Sequence, residues 1–364
     1  MGRLITIAGV LTVLLTAFAL LARFVPPDTF WPPAVIALML PGLLLVTLLF
    51  FLLQVYRRKW KSAVLAGIVC AFAFPLAGTL FAWPSDPPEE TAVPLTTIPA
   101  DTTNAPAPAP EVQPTLTIAT SNMHTYRDQG WNTVADGPVQ RKLQAADADI
   151  LLLQEARHAK FRRNFFELTK QTTGLSDRHQ PYGKTVATYA RSLTRVDEVF
   201  DGNQGYNGFL VTDVATELGT IRVINAHLQS NQISQIAEDI GQDSTVEGRL
   251  GRFRSMLSGY GQAARIRALQ ANKIREVVEN SPHPVIVGGD FNDVPSSYTY
   301  RRILSPRLQD AWALRGLGLG TTFTGPLPGL RIDYVLVDTS LTVVQVERLE
   351  GTFSDHRPVR VVVR

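Results

Sequence analysis

Three uninterrupted apolar runs open the chain. Leu4 to Ala22, Ala34 to Tyr56 and Ser62 to Trp83 contain no charged residue. Each approaches the ~20 residues with which a helix crosses ~30 Å of hydrocarbon. A helix satisfies its own backbone polar groups in lipid, so the pattern predicts three membrane spans, at about 4–22, 34–56 and 62–83. A removable signal peptide competes for the first run, but no clear small-residue cleavage site follows it and further spans do. Met1-Gly2 with Thr6 also fits a loose myristoylation pattern, which next to a span reads as coincidence.

The pattern then changes twice. Pro84 to Pro114 holds nine of the 24 prolines and no Lys or Arg. Proline favours extended backbone, so 84–114 reads as a semi-rigid linker that holds the next domain away from the bilayer. From Thr115 to Arg364, short apolar runs alternate with helical patterns. Strands are expected at Leu116–Thr120, Ile150–Leu153, Ile221–Ala226, Val285–Val287, Ile332–Val337 and Val359–Val363, with a further run at Thr352-Phe353-Ser354. Helices are expected at Val139–Ala146, Lys160–Thr173 and Gln262–Val278. This mixture is α/β or α+β, and some 250 residues suffice for one core.

Composition sharpens the division. The 364 residues are 45% hydrophobic and 18% charged, with a mean hydropathy of +0.04. Charge is low against about 25% for soluble domains, and the apolar content excludes a wholly disordered chain. Residues 1–114 carry six basic and six acidic side chains, so the net +3 belongs to 115–364. A charge of +3 does not by itself point to nucleic acid. The single cysteine, Cys70, excludes an intrachain disulfide framework and a Cys-based zinc site. The loop Arg57-Arg58-Lys59-Trp60-Lys61 is the basic one, which predicts a cytoplasmic loop, a cytoplasmic N-terminus and an extracytoplasmic domain after Trp83. Trp31, Trp60 and Trp83 at the span ends fit the interface.

Candidate chemistry sits where strands end. Asn122, Glu155, His227, Asp290 with Asn292, Asp333 and Asp355-His356 all fall at or beside the end of an apolar run. Strand ends on one sheet edge converge, so these residues can form one site. Oxygen donors of this kind suit Mg²⁺, Mn²⁺ or Ca²⁺. A hard cation beside a His–Asp pair fits metal-assisted attack of water on phosphorus. His124, His158, His179 and His283 lie outside this pattern and read as structural.

In these residues the sequence resembles the endonuclease/exonuclease/phosphatase superfamily of metal-dependent phosphodiesterases. The matching stretches are Ser121-Asn122, Leu153-Gln154-Glu155, Asn225 to Ser230, Gly288 to Asp293, Arg331 to Leu336 and Ser354 to Val359, in the family's order. The resemblance implies a DNase I-like, four-layer α-β-β-α sandwich over 115–364. It implies Mg²⁺ (or Mn²⁺) as cofactor, with Glu155 as principal ligand and Asn122 and Asp355 beside it. It implies that Asp290 positions or deprotonates water, that Asn292 binds the phosphate and that His227 donates to the phosphate or leaving oxygen. It further implies that Asp333 orients His356, which contacts the scissile phosphate. Arg331, beside Asp333, is expected to bind substrate.

The abasic-site endonuclease branch fits poorly, because Val335 follows Asp333-Tyr334 where that branch carries an aromatic. The stretches around His227, Arg267 and Asp290 look closest to bacterial membrane-anchored members. The expected function is endonuclease-like hydrolysis of phosphodiester bonds outside the cytoplasm by a membrane-anchored enzyme. Alternatives are a phospholipid or inositol-phosphate phosphoesterase, and a non-catalytic binding module on an anchor. The expected partners are the lipid bilayer and a nucleic-acid or phospholipid substrate, and no protein partner is identifiable. A lipid would suit the tether, but a long linker would move the site from the surface. The segment 231–262, with Arg249, Arg252, Arg254 and Phe253, reads as a solvated amphipathic helix in preference to a lid.

Overall fold

Proline decides how the apolar runs become helices. The structure, a computed structural model, describes residues 2–83, 85, 114–156, 165–202, 205–230, 246–325, 329–351 and 353–364. The N-terminal part folds as α1 (Gly2–Leu20), α2 (Pro27–Phe30), α3 (Pro32–Ala37), α4 (Leu40–Tyr56), α5 (Trp60–Ala73) and α6 (Ala77–Leu80). Two stretches, Arg3–Arg23 and Trp60–Leu80, are helices long and apolar enough to cross a membrane. The expected second span, 34–56, is not one helix: α3 ends at Ala37, and α4 begins at Leu40 with Pro41 in its first turn. Pro41 has no N–H to donate to the carbonyl of Ala37, four residues back, so the ladder is cut there. This leaves α4 with 17 residues, about 25 Å at 1.5 Å per residue. The expectation of three full-length spans is therefore corrected to two span-length helices and one shorter apolar helix. Thr16 and Thr47 hydroxyls bond at 2.8 Å between α1 and α4.

Among the described residues the remainder builds twelve strands: β1 (Leu116–Asn122), β2 (Ile150–Gln154), β3 (Asp177–His179), β4 (Ala187–Ala190), β5 (Leu193–Val199), β6 (Gly208–Thr216), β7 (Gly219–His227), β8 (Val285–Asp290), β9 (Leu308–Asp310), β10 (Asp333–Asp338), β11 (Val343–Arg348) and β12 (Val359–Val363). One sheet runs β11-β12-β1-β2-β4-β3 and the other β5-β6-β7-β8-β10-β9. The β1/β2 and β7/β8 pairs are parallel. Helices α7 (Asp136–Ala146), α8 (Phe165–Thr173), α9 (Val246–Glu279), α10 (Tyr298–Ile303) and α11 (Ala311–Arg315) accompany them among the described residues.

Period-two alternation sorts the strands into layers. Ile118, Ile150, Leu152, Val223, Ile286 and Val335 meet between the sheets. Their neighbours Ala119, Leu151 and Leu153 face α7 and α8 with Val139, Leu143 and Phe165. Ile224, Val287 and Leu336 face Ala271, Ile274 and Val278 of α9. The order is helix, sheet, sheet, helix, an α/β sandwich consistent with the DNase I-like fold. Across the sheets, Gln154 Nε2 donates to Asn225 Oδ1 at 2.7 Å, tying β2 to β7 near the polar edge.

Two sequence expectations are revised. Helix α9 begins at Val246 and not near Gln262, so the described second half of the 231–262 segment is helical, as its amphipathic reading expects, and continuous with the predicted helix. Residues 231–245 and the side chains of Arg249 and Leu250 lie outside the described residues, as do His158 and most of the linker. The linker was expected to hold the domain away from the helices, yet the domain rests directly on them. Ser296 Oγ donates to Ala37 O at 3.0 Å, filling the acceptor that Pro41 leaves open. Arg331 Nη2 donates to Thr79 O (2.9 Å) and Arg301 Nη1 to Arg23 O (3.1 Å). Carbonyls at helix C-terminal ends have no partner within the helix and carry partial negative charge, so hydroxyl and guanidinium donors are favoured there. Tyr260 OH bonds Ala34 O, Ala82 pairs with Gly318 as a β-bridge, and Ala22, Ala37, Val294 and Ile332 form a shared apolar cluster.

Candidate active site

Strand register sets the site. In the parallel β7/β8 pair His227 lies beside Asp290, and in the antiparallel β8/β10 pair Asp333 lies opposite Asp290. In β1/β2 Asn122 lies beside Gln154, one residue before Glu155. Gly289 has φ +136°, and a Cβ there would stand 1.9 Å from Ala226 O, so only glycine lets β8 carry Asp290 this close to β7. Glu155 (φ 49°) and Asn292 (φ 51°) adopt left-handed backbone where the chain leaves β2 and β8. Such conformations cost free energy and concentrate at functional sites.

The side chains converge. Asn122 Nδ2 donates to Glu155 Oε1 (3.2 Å) and Asp290 Oδ2 (3.1 Å), while Asn122 Oδ1 accepts from His124 N (2.9 Å). His356 Nδ1 bonds Asp333 Oδ2 at 2.9 Å. That bond turns His356 Nε2 toward Asp290 Oδ2, 3.8 Å away, and His227 Nε2 stands 3.8 Å from the same oxygen. His227 Nε2 is also 3.8 Å from Glu155 Oε1. Asn292 N donates to Asp290 Oδ1 (2.8 Å) and Asn292 Nδ2 to Leu228 O (3.0 Å). Two imidazole nitrogens thus face one carboxylate oxygen at a separation too long for direct bonds. An oxygen of substrate or water fits among them.

The sequence profile of the Endonuclease/Exonuclease/phosphatase family matches residues 122–356. The chain belongs to this family. A second profile, described as Domain of unknown function (DUF8431), matches residues 2–80. No curated protein matches the chain. Among solved structures, a family member from Beutenbergia cavernae is 19% identical, with 69% of this chain and 72% of that one covered at a TM-score of 0.45. A family member from Bacteroides thetaiotaomicron is 18% identical, with 69% and 97% covered and a TM-score of 0.45. The human Nocturnin catalytic domain with bound sulfate is 16% identical, with 70% and 95% covered and a TM-score of 0.44. As a member of the Endonuclease/Exonuclease/phosphatase family, the chain is a phosphoester hydrolase.

The donor set suits the divalent cations typical of the family. Glu155, Asp290, Asp333 and Asp355 surround two imidazoles, and donor atoms of Asp290, Asp333 and His356 lie within 4.8 Å of one another. Asp355 Oδ1 is buried with no hydrogen-bond partner among the described residues, an open acceptor of the kind a cation satisfies. Because Asp333 is already engaged by His356, and both Asp290 oxygens accept from Asn122 and Asn292, the oxygens of Glu155 and Asp355 are the better placed for a hard ion.

Burial pushes the Asp290 carboxyl up to about 6, with His356 and His227 pulling against it. Burial disfavours charged His356, but Asp333, Asp290 and Asp355 outweigh it and raise the imidazole to about 10. At neutral pH the pair is a carboxylate facing an imidazolium.

Sequence reasoning missed Lys142. Its Nζ is buried under α7 and donates to Asn122 O (3.2 Å) and His356 O (3.4 Å), tying two site segments together. Ser354 Oγ donates to the same Asn122 carbonyl at 2.9 Å. The signal was present, since Lys142 lies three residues after Val139 on the apolar stripe of Leu143 and Ala146. Burial lowers its ammonium to about 7, opposed by Asp333 and Asp355.

These shifts oppose each other in stability. The raised His356 contributes stability that is complete below its ordinary 6.5 and lost as pH rises through about 10. The lowered Lys142 carries a penalty at low pH that disappears as pH rises from about 7 toward 10.5. In the metal-free protein, the Tm of Lys142→Met should therefore fall between pH 7 and 10, and that of His356→Asn should rise. Thermal unfolding in EDTA checks this, and parallel slopes for the two variants would refute it.

Arg331 is not brought to the site. Its guanidinium is buried, 2.7 Å from Asp310 Oδ2 at the end of β9, and reaches Thr79 O. The expected substrate arginine is instead a junction residue. Asp333 projects into the site two positions later, its N–H held by Thr322 Oγ1 (3.1 Å).

Proposed function

We propose that the chain is a membrane-anchored, divalent-metal-dependent phosphodiesterase whose catalytic domain lies outside the cytoplasm. The observation that carries this reading is the convergence of His227 Nε2 and His356 Nε2 on Asp290 Oδ2, at 3.8 Å each. Asp290, with its carboxyl raised to about 6, is ionised at neutral pH yet more basic than an ordinary carboxylate, which suits it to take a proton from water. His356, held cationic by Asp333, donates from Nε2 to a phosphate oxygen, and His227 donates from the other side. Asn292 fixes Asp290 through its backbone N–H. Glu155, Asp355 and Asn122 would hold Mg²⁺ or Mn²⁺, which draws negative charge off the phosphate oxygens when bound.

The two long helices and the shorter α4 form the anchor, with α4 completing the crossing through the α3–α4 kink. The helix ends that meet the domain (Arg23, Ala37 and Thr79) lie across the bundle from the basic loop Arg57–Lys61. With that loop cytoplasmic, the domain is outside.

One experiment tests both halves. Intact cells expressing the full chain are given bis(p-nitrophenyl) phosphate, with Mg²⁺ or EDTA. External hydrolysis that EDTA stops is expected. Activity that appears only after lysis would overturn the orientation, and activity that survives EDTA would overturn the metal's role.

A further inference from the structure

The loops that carry the catalytic residues are the loops that rest on the helix ends. Val294, two residues after Asn292, packs with Ala22 and Ala37. Ser296 bonds Ala37 O. Arg331, two residues before Asp333, bonds Thr79 O. Counting about 3.6 Å of chain per residue and the reach of the Ser296 and Arg331 side chains, Asn292 and Asp333 lie within roughly 20 Å of the ends of α3 and α6. The site is therefore held beside the helix ends and not at the far end of a linker.

The rim agrees. At the Ala82–Gly318 bridge the chain exposes Phe81 (49%), Trp83 (76%), Leu317 (65%) and Leu319 (41%). Such side chains beside a span end settle into the interfacial region. Arg301 covers Phe24 at the neighbouring helix end. Helix α9 crosses α3 at Tyr260, whose hydroxyl donates to Ala34 O, so the domain meets the helix ends here as well. Exposed aromatics stand away from the anchor too, at Trp131, Tyr182 and Tyr206, and turnover of DNA beside lipid separates the two substrate classes.

We infer that the substrate is a phosphate ester in the headgroup of a lipid in the leaflet on which the domain sits. The inference rests on the phosphodiesterase reading and names its substrate class. Lipid confined to the same surface reaches the site at high effective concentration, and its headgroup phosphate has only the short distance from the helix ends to Asp290 and His356 to cover.

The test uses the full chain reconstituted with Mg²⁺ in vesicles of phosphatidylglycerol, phosphatidylethanolamine and phosphatidylinositol. Headgroup release is followed by mass spectrometry. Dibutyryl versions of the same lipids, plasmid DNA and bis(p-nitrophenyl) phosphate are assayed alongside. At least one membrane lipid should turn over about 10²-fold faster than its soluble version at equal total concentration. Equal or faster turnover of the soluble lipid or of DNA, or hydrolysis of bis(p-nitrophenyl) phosphate alone, overturns the inference and leaves the phosphodiesterase reading standing. No hydrolysis of any substrate overturns both.

Discussion

Asp290→Asn should be inactive and at least as stable as the parent chain. Removal of a general base costs about 10²–10⁴-fold in rate, so kcat/KM on a generic phosphodiester should fall by about three orders of magnitude. The stability result has the opposite sign. Asp290 is buried and its carboxyl is raised to about 6, so its ionised form at neutral pH is disfavoured by the fold. A neutral amide of the same shape removes that cost, and the Tm at pH 7 should hold or rise. Steady-state kinetics and thermal unfolding of the same preparation check both. A variant that retains activity within tenfold of the parent removes Asp290 from the chemistry. A collapsed Tm would mean that the carboxylate supports the fold instead.

Arg331→Met should have the largest effect on stability. Arg331 and Asp310 bury their side chains to 3% exposure each. Breaking a buried pair from one side leaves an uncompensated charge and costs about 3–5 kcal/mol. Asp310 also accepts from Tyr300 OH at 2.6 Å and caps α11 through Trp312 N, so a bare Asp310 carries its strain into two more elements. Adding Asp310→Asn keeps the cap and removes the stranded charge, so the double variant should be more stable than Arg331→Met alone. Unfolding of the full chain in detergent measures both, and simple additivity would argue against the pair as the source of the loss.

The site was legible in the sequence because its residues end apolar strands. Register then had little freedom: once β7, β8 and β10 pair, His227, Asp290 and Asp333 must be neighbours. The four layers follow from alternation at β1, β2, β7, β8 and β10. Strands β3, β4 and β9 are short and β5 and β11 half exposed, and they take their conformation from pairing, whereas β6, nine largely buried residues, follows from its pairing with β5 and β7. Lys142 was passed over because a lysine on an apolar stripe is legible only when its two carbonyl partners are known. Arg331 was misplaced for a similar reason. Proximity in sequence to Asp333 says nothing about which side of β10 a long side chain takes, and its partners Asp310 and Thr79 are distant in the chain.

The carbonyl of Ala37 has a meaning for assembly. Pro41 strips it of its helical donor, and the replacement comes from Ser296, made much later in synthesis. On the proposed topology, a bundle that enters the bilayer first is left with an open acceptor near its surface, where water can occupy it while the rest of the chain is exported. Such an anchor would reach its final hydrogen bonding only when a domain folded on the far side returns to it. Insertion and catalytic folding would then be consecutive steps of one maturation, the second completing what the first leaves open.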